Sequence, residues 1–252
     1  MQRYFLEEDY IEGNPLTLIE ENYHHAARVM RMKLKDKCYL SFMNDQTIVA
    51  EVIEIDGNTI TLSEVSKEVM DKELPVSVTI ACGYTKGDKL ELVAQKATEL
   101  GMDRLVGFPA QASVVKWDHK KLNKKQERLS KIAKEAAEQS HRQSVPDIEL
   151  FSSYQELLES LKYYTYVLIA YEESAKSGEA SQFAKVVSRL DTKDRALIIF
   201  GPEGGLSLKE VQEIEDVNGV RCALGPRILR AETAPMYALS AISYELELRR
   251  QL

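Results

Sequence analysis

Disulfide and metal chemistry have little to work with in this chain. Its three cysteines, Cys38, Cys82 and Cys222, are odd in number and far apart, with no Cys-x-x-Cys pair. That pattern argues for reduced thiols in a cytoplasmic protein rather than a disulfide framework. The four histidines, His24, His25, His119 and His141, show no HxxxH or Cys/His spacing, so no metal site is expected. Long apolar runs are missing as well: a stretch such as residues 166–171 falls far short of the roughly 20 residues a membrane helix needs. The opening MQRYFLEEDY is neither basic nor followed by an apolar segment, so no signal peptide is expected. No internal repeat or low-complexity tract is visible.

What is present describes an ordinary globular protein. With 252 residues, 44% of them hydrophobic and 29% charged, the chain can bury a proper core as one large or two small domains. Its net charge of −7 speaks against nucleic acid until the distribution is read. Residues 28–37 carry five basic side chains against Asp36 alone, and residues 116–134 carry eight against Asp118 and Glu127. Either run by itself reads as a solvated helix face; two of them in an acidic protein point to a polyanionic partner.

Residues 1–72 read as a small β-rich domain. CYLSFM, TIVAEVIEI and NTITLSEV alternate as strands do, Asp56-Gly57-Asn58 supplies a turn, and one helical stretch covers residues 21–32. SKEVMDKELP is charged, aperiodic and ends in Pro75, which suits a linker. From residue 73 to 252 strands and helices alternate. Strands are expected at residues 76–82, 105–108, 166–171, 196–200 and 220–224. A helix begins at Asp88 with Leu90, Val93, Ala94, Ala97 and Leu100 on one face and stops at Gly101. A long helix covers residues 118–142, with Leu122, Leu129, Ala133, Ala136 and Ser140 on one face, and a last one covers residues 236–250. This rhythm predicts a mostly parallel sheet covered by helices on both faces.

One strand end stands out: ALIIFGPEGGLSLKEV, residues 196–211. Gly201, Gly204 and Gly205 permit positive φ and close approach, and Pro202 stiffens the turn. Ser207 and Glu210 form an S-x-x-E capping box that starts a helix at Leu208. The loop lies beyond the carboxyl end of a strand, where ligands sit in such sheets. It is neither the dinucleotide fingerprint nor a P-loop, and Glu203 repels anions. A cationic ligand, or one offering hydroxyls and amines, suits it better than a phosphate. A second loop, LGPRILRAETAPMY at residues 224–237, has a Gly-Pro turn, a basic-apolar stretch and Thr233 as a helix cap. Two such loops after neighbouring strands enclose one pocket.

GPEGGLS at residues 201–207 and LGPRILRAETA at residues 224–234 resemble the signature motifs of the SPOUT, or α/β-knot, methyltransferases in the version found in the RsmE family, the 16S ribosomal RNA uridine N3-methyltransferases. QKATELG, SVVK, EAAEQSHR and the N-terminal HHAARVMR resemble further family blocks in family order, so the likeness covers nearly the whole chain. One departure shows: Ala112 stands just before SVVK, where many members carry an arginine.

The resemblance implies an α/β fold: a SPOUT trefoil-knot methyltransferase domain with a mostly parallel sheet, preceded by a PUA-like β-barrel that binds RNA. It implies S-adenosylmethionine as cofactor, held by Gly201, Glu203, Gly205, Leu224, Gly225, Ile228 and Leu229, with Glu203 either touching the ligand or shaping the loop. It places Arg230, Glu232 and Arg142 in catalysis, with Glu232 as base or as a partner orienting Arg230. His25, Arg28, Arg31, Lys33 and Lys116 are then the RNA contacts, the substrate is U1498 of 16S rRNA in the 30S subunit, and the protein is a cytoplasmic homodimer without metal or membrane. Met236, Leu239, Ile242 and Leu246 form an apolar stripe that serves either the dimer or the core. Rival readings are ribose 2′-O methylation, another RNA base, a non-catalytic ribosome-assembly factor and an oxidoreductase. The first lacks its SLN-type stretch here, and the last lacks its fingerprint.

Overall fold

The structure, a computed structural model, describes residues 1–69, 71–171 and 181–251. Met70 in the expected linker, residues 172–180 in the expected helix-bearing stretch and Leu252 at the end of the expected second domain lie outside the described residues. Two compact units emerge: Met1–Glu73 with Ala137–Ser144, and Leu74–Ala136 with Val145–Leu252. Relative to limits at 1–72 and 73–252, this division adds Glu73 and residues 137–144 to the first unit. No described helix is long and apolar enough to cross a membrane.

The first unit is a mixed half-barrel. Strands β1 (Gln2–Phe5), β2 (Leu16–Leu18), β3 (Lys37–Ser41), β4 (Thr47–Asp56) and β5 (Thr59–Lys67) pair in the order β1-β3-β4-β5-β2, with β1 parallel to β3 and the rest antiparallel. Leu18, Cys38, Leu40, Ile48, Ala50 and Ile60 fill its core. The helical stretch expected at residues 21–32 is shorter and split: α1 (Glu20–His24) passes into a π-helical turn over His25–Val29, and Arg31 at φ +54 ends it. β1 and β2 escaped the sequence reading because they are three or four residues long and β1 buries an arginine. Arg3, 1% exposed, donates from Nη1 to Ser41 Oγ at 2.8 Å and from Nη2 to Glu68 Oε2 at 2.6 Å. The expected linker is therefore anchored: Ser66 and Lys67 belong to β5, and Glu68 also pairs with Lys72.

The second unit carries six strands, β6 (Ser77–Gly83), β7 (Arg104–Phe108), β8 (Asp147–Leu150), β9 (Tyr166–Ala170), β10 (Arg195–Phe200) and β11 (Gly219–Cys222). They pair in the order β11-β9-β10-β6-β7-β8, parallel throughout. Ile80, Ile198 and Leu168 point to one face, covered by α2 (Lys89–Glu99), α3 (His119–Gln139), α5 (Ser181–Val187) and α7 (Thr233–Ser243). Ala81, Ile199 and Ile169 point to the other, covered by α4 (Tyr154–Ser160) and α6 (Leu208–Glu215). Two-sided burial is why β10 reads as an unbroken apolar run from Ala196 to Phe200.

Two helix limits differ from expectation. α7 starts at Thr233, three residues early, because Pro235 falls in the first turn, where its missing N–H costs nothing; Glu232, not Thr233, occupies the cap. Of the expected stripe, Leu239, Ile242 and, just beyond α7, Leu246 are buried in this unit's own core, and Met236 is half-buried, so most of the stripe is core. α3 stops at Gln139 instead of reaching Arg142, because His141 takes φ +59.

Arg142 lies just beyond that stop, 3% exposed, and belongs to the first unit. Its guanidinium donates to Glu73, with Nε at 3.0 Å from Oε2, while the backbone N–H groups of Gln143 and Ser144 reach Oε1 at 2.8 and 3.2 Å. Burial pushes the Glu73 carboxyl up, but these donors outweigh it and hold the group below the usual carboxylate range. Arg142→Ala should cost about 3 kcal/mol in urea unfolding at neutral pH, as breaking a buried pair does. Because the folded carboxyl titrates low, that difference should be complete above the ordinary carboxylate range. It should vanish as pH falls through the lowered value; a cost that persists there would assign it to packing instead.

Candidate functional site

Parallel strands send every outgoing loop to one edge. There β10 ends in the glycine turn of residues 201–207, β11 runs into residues 223–232, and β6 leads through residues 84–88 to α2. The first two loops, with Ala170 and Tyr171 at the end of β9 and Lys89 at the start of α2, enclose a cleft of about 530 Å³ lined by Lys89, Gly201, Glu203, Gly205, Arg230 and Glu232 among others. An adjoining cavity of about 260 Å³ is lined by Leu224, Gly225, Ile228 and Leu229 and shares Ala170, Tyr171 and Ala234 with the cleft.

The three glycines of the turn answer different needs. A Cβ on Gly201 would stand 2.6 Å from the Gly205 carbonyl carbon, so this glycine lets the turn close on itself. On Gly204 it would stand 2.8 Å from the Ala112 Cβ, so the small residue before SVVK packs against the glycine loop. Gly205, at φ +72, would meet nothing within 4 Å. It alone leaves open space beside the cleft, where a ligand can approach the backbone. Gly225, at φ +111, has only the Tyr237 hydroxyl at 3.8 Å.

Buried Glu210 fastens the turn. Its Oε2 accepts from Ser207 N and Oγ, both at 2.8 Å, completing the expected capping box, and Oε1 accepts from Gln111 N at 2.8 Å. The loop before α3 is thereby tied to the glycine turn.

The cleft's charges centre on a residue the sequence reading missed. Lys89 Nζ donates to Glu203 Oε1 at 2.8 Å and lies 3.9 Å from Glu232 Oε2, a buried oxygen with no hydrogen bond. One ammonium thus links the two motif loops. The hydrogen bond to Glu203 raises the Lys89 ammonium above its usual range, against burial and the nearby Arg230. Burial pushes Glu203 up, but Lys89 and the backbone N–H of Lys86 hold it below the usual carboxylate range. The signal for Lys89 was faint: a lysine at the first position of a helix whose preceding loop leaves a central strand.

This chain matches two families over most of its length, an RNA methyltransferase domain at residues 72–243 and an RNA methyltransferase PUA domain at residues 18–65. It is 46% identical over 253 residues to ribosomal RNA small subunit methyltransferase E of Bacillus subtilis (strain 168), covering 99% of each chain. The chain belongs to the ribosomal RNA small subunit methyltransferase E family. Among solved structures, a crystal structure of a hypothetical protein superposes with a TM-score of 0.91 at 42% identity, covering 99% of this chain and 100% of that one. An inferred methyltransferase from Legionella pneumophila, in complex with the bound cofactor SAM, superposes at 0.82 with 25% identity over 96% of both chains. The expected architecture, an RNA methyltransferase domain built on a parallel sheet after a PUA-like domain, is that of this chain.

In this member of the family, the cleft gathers Gly201, Glu203, Gly205, Ile228, Leu229, Arg230 and Glu232, and the adjoining cavity adds Leu224 and Gly225. Glu232 lies with Oε2 3.9 Å from Lys89 Nζ, in the same cleft as Arg230. Arg142 is buried against Glu73 in the first unit. Arg28, Arg31 and Lys33 are exposed in that same unit, and His25 is half-buried with Nδ1 3.3 Å from the Tyr4 hydroxyl. Lys116 is exposed in the second unit.

Two outcomes follow from this geometry. Gly201→Ala should cost about 3 kcal/mol, since backbone must move. Gly205→Ala should cost about 1 kcal/mol for its left-handed φ alone. Equal costs in thermal unfolding would contradict the division of roles. Lys89→Met should let the Glu203 carboxyl rise towards its ordinary range in a carboxyl NMR titration, and an unchanged titration would show that the ammonium does not control it.

Proposed function

We propose that this protein methylates N3 of one uridine, U1498, in the 16S rRNA of the small ribosomal subunit, with S-adenosylmethionine as methyl donor. The observation that carries the reading is the cleft between the two motif loops, open at Gly205, in a chain of this family. A relative at 25% identity was solved with bound SAM, and the groove suits that cofactor. Gly201, Gly205, Leu224 and Gly225 offer backbone close to the cavity, while Ile228, Leu229 and Ala234 offer apolar surface.

The cofactor, when bound, supplies an electrophilic methyl group. The chain's own residues must present the base and manage its proton. Uridine N3 is protonated at neutral pH and lies on the pairing edge, so the base has to be unpaired or flipped before it enters. Arg230 lines the cleft and stabilises the negative charge that develops as N3 loses its proton to solvent water. Glu232 holds Lys89 between the loops, its Oε2 3.9 Å from the ammonium. Glu203 acts through the loop's shape, since its carboxylate is already engaged by Lys86 and Lys89. Arg142 serves folding through Glu73 rather than the reaction.

Docking falls to the exposed basic residues Arg28, Arg31 and Lys33 of the first unit, with His25 beside them, and to Lys116 of the second. A homodimer formed through the knot domain draws support from a different side of the last helix than the sequence suggested. Tyr237, Tyr244 and Leu248 are exposed there at helical spacing. A cytoplasmic setting follows from the ribosomal substrate.

The decisive experiment is methyl transfer from labelled S-adenosylmethionine to small subunits lacking the modification, with nucleoside analysis. The expected product is 3-methyluridine; cofactor binding with no methylated uridine would send the reading to another base or RNA. In the same assay Arg230→Ala should lower kcat about 100-fold, the scale of losing one charge-stabilising group. Its cofactor affinity should change little, and undiminished turnover would remove Arg230 from the chemistry.

A further inference from the structure

The second basic run, residues 116–134, is only partly accounted for by Lys116. Its C-terminal half is internally balanced: Lys125 and Arg128 pair with Glu91, and Glu127 and Glu135 interleave the rest. Its N-terminal half is not. Lys116, Lys120, Lys121 and Lys124 are exposed, and among the described residues none of the four ammonium groups forms an ion pair. Asp118 is the one acid among residues 116–124, and one of its carboxylate oxygens accepts the Lys121 backbone N–H at 2.8 Å.

Such a cluster works against the fold. Like charges one turn apart, as at Lys120 and Lys124, weaken a helix by a few tenths of a kcal/mol, and nothing in the second unit's core needs them. Leu122 and Leu129 already anchor that helix face-down on the sheet. The lysines face solvent rather than that core, as their exposure shows.

Position gives the cluster a role. α3 follows β7, so it starts at the carboxyl edge of the sheet, the edge that carries the cleft. The connection is physical: Gln111 N donates to Glu210, Ala112 packs at Gly204, and Val115 and Trp117 pack against the core. Trp117 also stacks on Tyr84 with ring centroids 4.3 Å apart. The lysine-bearing segment is therefore a fixed continuation of the glycine loop. In a chain of net charge −7, a local concentration of unpaired cations at the rim selects a polyanion.

We propose that Lys116, Lys120, Lys121 and Lys124 form the surface on which the methyltransferase unit holds the RNA phosphate backbone flanking the nucleotide that enters the cleft. The assignment rests on the function proposed above. These contacts read no sequence; they set the register in which one base can reach the cleft.

The test compares Lys120→Gln/Lys121→Gln/Lys124→Gln with Lys162→Gln/Lys193→Gln, whose lysines are exposed before β9 and β10 at the opposite edge. Binding to unmodified small subunits is measured across a salt series, with cofactor affinity, KM and melting temperature alongside. The triple variant should melt like wild type and bind cofactor with unchanged affinity. Its affinity for subunits should fall at least about tenfold, with the log–log salt slope flatter by about 2 to 3, near 0.7–0.9 per lost phosphate contact. The loss should fall on KM, and Lys116→Gln alone should reproduce about a third of the slope change. The control variant should match wild type. An unchanged slope and KM in the triple variant, or an equal loss per charge in the control, would overturn the proposal. Wild-type protein that binds subunits with the steep slope yet transfers no methyl group would overturn the functional reading and leave the surface standing.

Discussion

Six parallel strands buried on both faces leave the second unit only one edge at which to do chemistry. Their side chains are spent on two cores, one under α2, α3, α5 and α7 and one under α4 and α6. Helices on both faces carry the chain back along the sheet, so the loops leaving parallel strands emerge at their carboxyl ends. The glycine turn, the loop of residues 223–232, the start of α2 and the start of α3 come together for that reason. None of these segments is close to all the others in sequence. The topology assembles them, and the side chains then adjust the distances.

Three anchors make those adjustments, each of a different kind. Gly201 is steric: the turn closes because no side chain stands between it and Gly205. Glu210 is a buried acceptor that satisfies donors from its own helix cap and from Gln111, so two loops share one carboxylate. Lys89 is electrostatic, one ammonium between carboxylates from two loops. A loop fixed by all three presents a defined cavity before any ligand arrives, which lowers the ordering cost of binding.

The legible parts of the sequence were those governed by a local rule. Strand and helix alternation after residue 75 gave the parallel sheet, and the S-x-x-E box gave the start of α6 at Leu208. The glycine motifs marked both cleft loops. What escaped was set by tertiary partners. β1 violates strand patterning because Arg3 is buried, and Ser41, Thr47, Glu68 and the Tyr39 ring make that tolerable. The stripe on α7 could not reveal whether it faced its own sheet or a second copy. Lys89 looked like one surface lysine among many, since its importance lies in two carboxylates more than a hundred residues away. EAAEQSHR matched a family block, yet Arg142 within it proved to be half of a buried pair with Glu73.

The charge inside the cleft bears on the proposed chemistry. Among the described lining residues the ionisable ones that carry charge at neutral pH are Lys89, Arg230, Glu203 and Glu232, two cations and two anions, so the lining is formally neutral. The arrangement is unequal. Lys89 stands against both carboxylates, while among the described residues Arg230 has no carboxylate partner. A neutral cleft admits a cationic sulfonium without strong repulsion, and an arginine not committed to an acid keeps its field for an anion that forms only during reaction. Had Glu232 paired with Arg230, that field would be spent in the ground state, and binding and transition state would gain alike. By engaging the acids, Lys89 leaves Arg230 without a carboxylate among the described residues, the condition that its proposed charge-stabilising role requires.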